Sequence, residues 1–208
     1  MNIRLKTILS MIEPGIGIAD IGTDHGYIPI QLALGGYPGH LFASDIHKSP
    51  LIAAKTHAIK AGVEEKIHFV LSDGLHGIQP GTVDTVIIAG MGGDLICRIM
   101  DECSWAEDKA LLFILQPMTK SEILRFWLVN NGFEIESETV VHDLNRRYKI
   151  MRVRFCGMNT RYYDYEYYTG QNPSHEDINL FLMNIHKKPE SVFFKEIQMQ
   201  LEHRNDSE

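Results

Sequence analysis

The stretch Ile18-Ala19-Asp20-Ile21-Gly22-Thr23-Asp24-His25-Gly26 reads as a short apolar strand that breaks at a polar, glycine-bearing turn and runs into a helix, Tyr27 to about Leu34. A strand–turn–helix of this kind lets backbone N–H groups and nearby carboxylates approach an adenosine-containing cofactor closely. The dinucleotide version needs G-x-G-x-x-G just after the strand. It is absent, and Gly15 and Gly17 fall on the strand's wrong side.

Working outward, acids recur after the next two apparent strands: Asp45 closes Leu41-Phe-Ala-Ser-Asp45, and Asp73 closes Phe69-Val-Leu-Ser-Asp73. Three acids at three successive strand ends suit a cofactor with hydroxyls, an exocyclic amine and a cationic end, and do not suit a phosphate-rich one. That combination points to S-adenosylmethionine. Asp45 lies where an acid reaches ribose hydroxyls, with Ile46 beside it; the alternative is a turn acid capping the helix near Lys48 to Pro50. Asp73 with Ser72 and Gly74 is placed to receive an adenine amino group, or else forms an Asx-turn. In the first turn, Asp20, Gly22, Thr23, Asp24 and Gly26 are the cofactor-binding candidates, and Asp24 alternatively caps the helix.

Further along, Val83 to Ala89 is a buried-looking strand that Gly90-Met91-Gly92-Gly93 breaks. Glycines there admit a planar base, so Gly90 and Met91 are candidates for the acceptor side, against the alternative of a crowded turn. Ala110 to Leu115 is another strand, ended by Gln116-Pro117. His25 is either a catalytic residue or a packed, capping one. Strands at about 17–21, 40–45, 66–71, 83–89 and 110–115 alternate with helices. Two strands without an intervening helix follow, about 133–141 and 147–156. The pattern predicts an α/β fold: a doubly wound, Rossmann-like sheet with a terminal antiparallel strand, the shape of class I methyltransferases.

The 208 residues allow one such domain, 1–158, and a small extension, 159–208. The extension is aromatic and acidic at first, then carries two helix-like segments at about 174–186 and 190–204, a helical hairpin or coiled-coil-like tail. With 44% hydrophobic residues the chain is ordinary for a globular protein, and no apolar run reaches membrane-span length. A cytoplasmic, monomeric protein with no membrane partner is expected. The three cysteines lack pairing or zinc spacing, and the ten histidines show no paired ligand spacing, so neither disulfides nor a metal is expected. A net charge of −7 argues against a protein-wide nucleic-acid surface. A local basic face remains open: Arg4 and Lys6 open the chain, Lys120 and Arg125 lie near a strand end, and Arg146, Arg147, Lys149, Arg152 and Arg154 cluster. A solvated strand edge accounts for that cluster equally well.

Ala19 to Gly26 with Pro29, Ala43 to Asp45 with Pro50-Leu51, Leu71 to Leu75, Ile88 to Gly93, Leu115 to Met118 and Leu128 to Phe133 together resemble the bacterial tRNA adenine-N1 methyltransferases called TrmK. The resemblance covers about residues 3–156, and the tail matches only loosely. It implies methyl transfer from S-adenosylmethionine to N1 of adenine 22 in tRNA, leaving S-adenosylhomocysteine, with Asp24 facing either the charged base or the cofactor ammonium. The absence of Asn-Pro-Pro-Tyr at strand four, which marks amino-group methylation in related enzymes, fits a ring-nitrogen target. A methyltransferase of another substrate, or a non-catalytic S-adenosylmethionine- or RNA-binding module, are the competing readings.

Overall fold

The computed structural model describes residues 2–143, 146–160, 162–171 and 173–185. Seven strands form one sheet in the order β3-β2-β1-β4-β5-β7-β6. They are β1 (Gly17–Ile21), β2 (His40–Asp45), β3 (His68–Leu71), β4 (Thr85–Gly92), β5 (Leu112–Thr119), β6 (Phe133–Asp143) and β7 (Arg146–Phe155). The first five pair in parallel, and β7 runs antiparallel to both β5 and β6. The expected doubly wound sheet with a reversed strand is therefore what forms.

Side chains alternate across the central strands, as a sheet covered on both faces requires. Ala19, Ile21, Val86, Ile88, Phe113 and Leu115 enter one core with α4 (Gly93–Asp101) and α5 (Ser121–Asn130). Ile18, Ile87, Leu112 and Ile114 enter the other with α1 (Ile3–Ser10), α2 (Tyr27–Leu34) and α3 (Lys48–Ala61). Pro29 and Pro50 sit in the first turns of α2 and α3, where the missing N–H has no intrahelical partner to lose. Gly62 caps α3 in the left-handed conformation, its N–H returning to Ala58 and Ile59.

Two strands outrun the sequence expectation. β4 does not break at Gly90 but continues to Gly92, with register shifts around Met91. Gly90 has φ +83, so it acts as a bulge that bends the strand rather than ending it. β5 likewise passes through Gln116 and Pro117 to Thr119. Its pairing with β7 stops at Leu115, and a proline is tolerated where a strand has become an edge.

Arg125 was expected near a basic face. It is instead fully buried: its Nε donates to Glu138 at 2.9 Å and Nη1 to the Tyr167 carbonyl at 2.7 Å. This joins α5, β6 and the short α6 (Glu166–Thr169). α7 (His175–Ile185) follows, and Tyr165, Tyr168, Phe181 and Leu182 pack together there. The second tail helix expected at 190–204 lies outside the described residues. The three cysteines are free, Cys97 and Cys103 buried. No helix among the described residues is long and apolar enough to cross a membrane.

Candidate active site

The carboxyl ends of β1 to β4 open into a cleft of about 520 Å3. Most of the residues singled out from sequence converge on it: Asp20, Gly22 and Asp24 from the first turn, Asp45 and Ile46 from the second, Ser72, Asp73 and Gly74 after β3, and Gly90 and Met91 from β4. Three expected residues support the cleft without lining it. Thr23 is buried and donates its hydroxyl to Asp20 at 2.7 Å. Gly26 brings the turn against α3, and His25 stands at the rim. The turn is pinned from below: the N–H groups of Gly22 and Thr23 both donate to the Ser44 carbonyl, at 2.8 and 2.9 Å.

The three acids differ in state. Burial pushes the Asp20 carboxyl up to about 6; the Thr23 hydroxyl opposes this, Asp45 adds to it, and Arg4 opposes it again. Asp20 is thus a buried anion short of positive charge, which fits a ligand with a cationic end. Asp45 accepts the His47 N–H at 2.8 Å through Oδ1, a local turn that stops short of the helix cap of the alternative reading, and its Oδ2 has no partner among the described residues. That oxygen fits a ligand hydroxyl. Asp73 is half-exposed and meets Arg98 at 3.3 Å. The Ser72 hydroxyl accepts the Gly77 N–H at 2.7 Å and bonds the Asp73 carbonyl, so it builds the turn instead of facing a ligand. Ile21, Ile46, Leu95 and Ile99 supply apolar walls suited to a planar base. Size, acid placement and apolar walls all fit a nucleoside with a cationic tail.

The expected RNA contacts separate. Arg4 is not on an outer face: it lines the cleft, donates to the Gln116 Oε1 at 2.7 Å and lies 5.4 Å over the Tyr148 ring. Lys6 is exposed and outside the lining. Arg147 is committed to Asp177 at 2.7 Å, Arg152 to Glu13 at 2.7 Å and Arg154 to Glu136 at 3.0 Å. Lys149 reaches the Tyr168 carbonyl at 3.1 Å, and burial brings its pKa down to about 8. Much of the cluster therefore serves the scaffold. Arg146 is exposed. Because β7 runs against β5, Arg146 lies toward the same sheet edge as the cleft.

Sequence reasoning missed Arg98, which a helix carries to Asp73 from 25 positions away. No local pattern marks that pairing. Among the described residues, no group of three or more His, Cys, Asp or Glu is placed to hold a metal.

Residues 1–151 match the family model described as a methyltransferase domain. Over 151 residues the chain is 32% identical to the tRNA (adenine(22)-N(1))-methyltransferase of Bacillus subtilis, covering 71% of this chain and 62% of that protein. The chain thus matches somewhat less than two thirds of that relative's length. The crystal structure of the B. subtilis m1A22 tRNA methyltransferase TrmK superposes with a TM-score of 0.68 at 27% identity, covering 99% of this chain and 85% of that one. M. capricolum TrmK, solved with S-adenosylhomocysteine, shares the fold with a TM-score of 0.76 at 24% identity, covering 97% and 95%.

Proposed function

The chain belongs to the TrmK branch of the methyltransferase-domain family, and from that premise we propose that it uses S-adenosylmethionine to methylate N1 of adenine 22 in tRNA. The observation that carries this reading is the cleft itself, where buried Asp20, half-satisfied Asp45 and half-exposed Asp73 stand at the ends of three neighbouring strands.

When bound, S-adenosylmethionine supplies an electrophilic methyl group on a sulfonium. Asp20 would hold the cationic end, Asp45 would accept from the ribose hydroxyls, and Asp73 beside Gly74 would receive the adenine amine. Ile46 and Ile99 wall in the base. Gly90 and Met91, in the bulge of β4, shape the acceptor side. N1 of adenine is nucleophilic without a strong base, so the protein's task is to align it and exclude water, which supplies several kcal/mol. N1 lies on the pairing edge, so the adenine must turn out of its stack. Asp24, largely exposed at the cleft, faces the positive charge the base acquires.

The tail after residue 158 is an appendage of the catalytic domain in this account. A monomer is the proposed working unit. A tRNA substrate places the protein in the cytoplasm. The test is transfer of labelled methyl to bulk tRNA, followed by nucleoside analysis. Labelled 1-methyladenosine is expected, and none from a tRNA transcript whose adenine 22 is replaced. Label in another nucleoside, or only in a metabolite extract, overturns the reading.

A further inference from the structure

His25 is held with φ 63, a left-handed conformation that histidine adopts more readily than most residues but still at a cost. Two features of α3 hold it there. Gly26 packs so close to α3 that a Cβ at 26 would stand 2.9 Å from the Ala54 Cβ. One turn further on, His57 Nδ1 donates to the His25 carbonyl at 3.1 Å. The result is a stack of rings. His25 and His57 lie 5.4 Å apart with 20° between their planes, and Tyr27 lies 5.6 Å from His25 and 6.2 Å from His57. The His25–His57 and Tyr27–His57 pairs are offset stacks, while His25 and Tyr27 are tilted by 39°. The His25 Nδ1 is buried with no hydrogen-bond partner among the described residues, and its Nε2 stands 3.5 Å from Asp24. The strain therefore positions a ring face rather than a hydrogen-bonded nitrogen. Tyr27 remains 52% exposed.

We propose that His25, Tyr27 and His57 form a shelf on which an unpaired nucleobase of the RNA substrate stacks beside the target adenine. The inference rests on the tRNA reading above. The shelf is continuous with the cleft, since Tyr27 belongs to both. Charge selects the occupant. At this mouth Asp24 is largely exposed, Arg98 is paired with Asp73 and Arg4 is bonded to Gln116, so the acidic side beside Tyr27 favours a strand held by its bases rather than its backbone. Turning the adenine outward also strips its neighbour of a stacking partner, and aromatic faces replace that partner whatever the base.

The test compares His57→Asn, which keeps a donor for the His25 carbonyl but removes the ring, with Tyr27→Leu and Tyr27→Phe. Binding of a tRNA transcript and of S-adenosylhomocysteine is measured for each, alongside methylation by the wild type. His57→Asn and Tyr27→Leu should each weaken RNA binding about tenfold, the size of one lost base stack. Tyr27→Phe should bind as the wild type does. S-adenosylhomocysteine affinity in His57→Asn should stay unchanged, reporting an intact fold. A wild type that methylates tRNA with both ring-deleted variants binding RNA normally overturns the shelf alone. A wild type that methylates no tRNA overturns the activity reading, and the occupant with it.

Discussion

The terminal methyl of Met91 rests on Gly22, in the space any side chain at position 22 would need. The tips of β1 and β4 are thereby locked together at the floor of the cleft. Gly22 also has φ +73, so an alanine there carries a backbone penalty, to which moving the flexible end of Met91 aside adds little. Gly22→Ala should destabilise the fold by about 1–3 kcal/mol and weaken S-adenosylhomocysteine binding. Adding Met91→Ala leaves the backbone strain in place, so the double variant should recover little of the loss in urea denaturation. A Gly22→Ala protein as stable as the wild type would remove this strain from the account.

Asp20 predicts a pH dependence of definite sign. Its folded pKa of about 6 lies above the ordinary 3.8. The folded chain therefore binds this proton more tightly than the unfolded chain. That contribution is complete below about pH 4 and is lost as the pH rises through about 6. Above that, the ionised carboxylate costs on the order of 2–3 kcal/mol. Asp20→Asn should thus be more stable than the wild type at pH 7.5 and equal to it near pH 4, by denaturation at both. The ligand's ammonium selects the ionised form, so wild-type S-adenosylhomocysteine affinity should fall as the pH drops below about 6. In Asp20→Asn it should be weak and flat.

Asp45 uses Oδ1 for its own turn and keeps Oδ2 for the cleft. Asp45→Ala should weaken S-adenosylhomocysteine binding by about 1–3 kcal/mol, the penalty for unsatisfied polar partners. Unchanged affinity by calorimetry would take Asp45 out of the site.

Arg146 and Arg147 are neighbours with opposite predictions. Arg147→Ala leaves Asp177, only 10% exposed, without its 2.7 Å partner. It should lower stability by about 1–3 kcal/mol. Arg146→Ala should leave stability alone and lower the salt slope of tRNA binding by about one unit. Equal losses of stability in both would contradict the division.

The fold was legible because its signals are local. Apolar runs ended by Asp45 or Gly22, prolines in first turns and Gly62 after α3 each announce a boundary within a few residues. Asp45 and Asp73 were legible as site residues because strand ends share an edge. What stayed hidden was long-range. Arg4 bonds Gln116 across 112 positions, His57 reaches His25 across 32, and Arg147 pairs with Asp177 on α7, a helix legible in the sequence though its docking on β7 was not. Gly90 misled because a glycine with positive φ can bend a strand as readily as end it.

The most direct test of the central claim, that these carboxylates cradle a sulfonium methyl donor, is calorimetric titration of the wild-type chain with S-adenosylmethionine at pH 7.5. The account predicts one saturable site per chain, weakened by Asp45→Ala. No binding heat, or a site indifferent to Asp45, would contradict it.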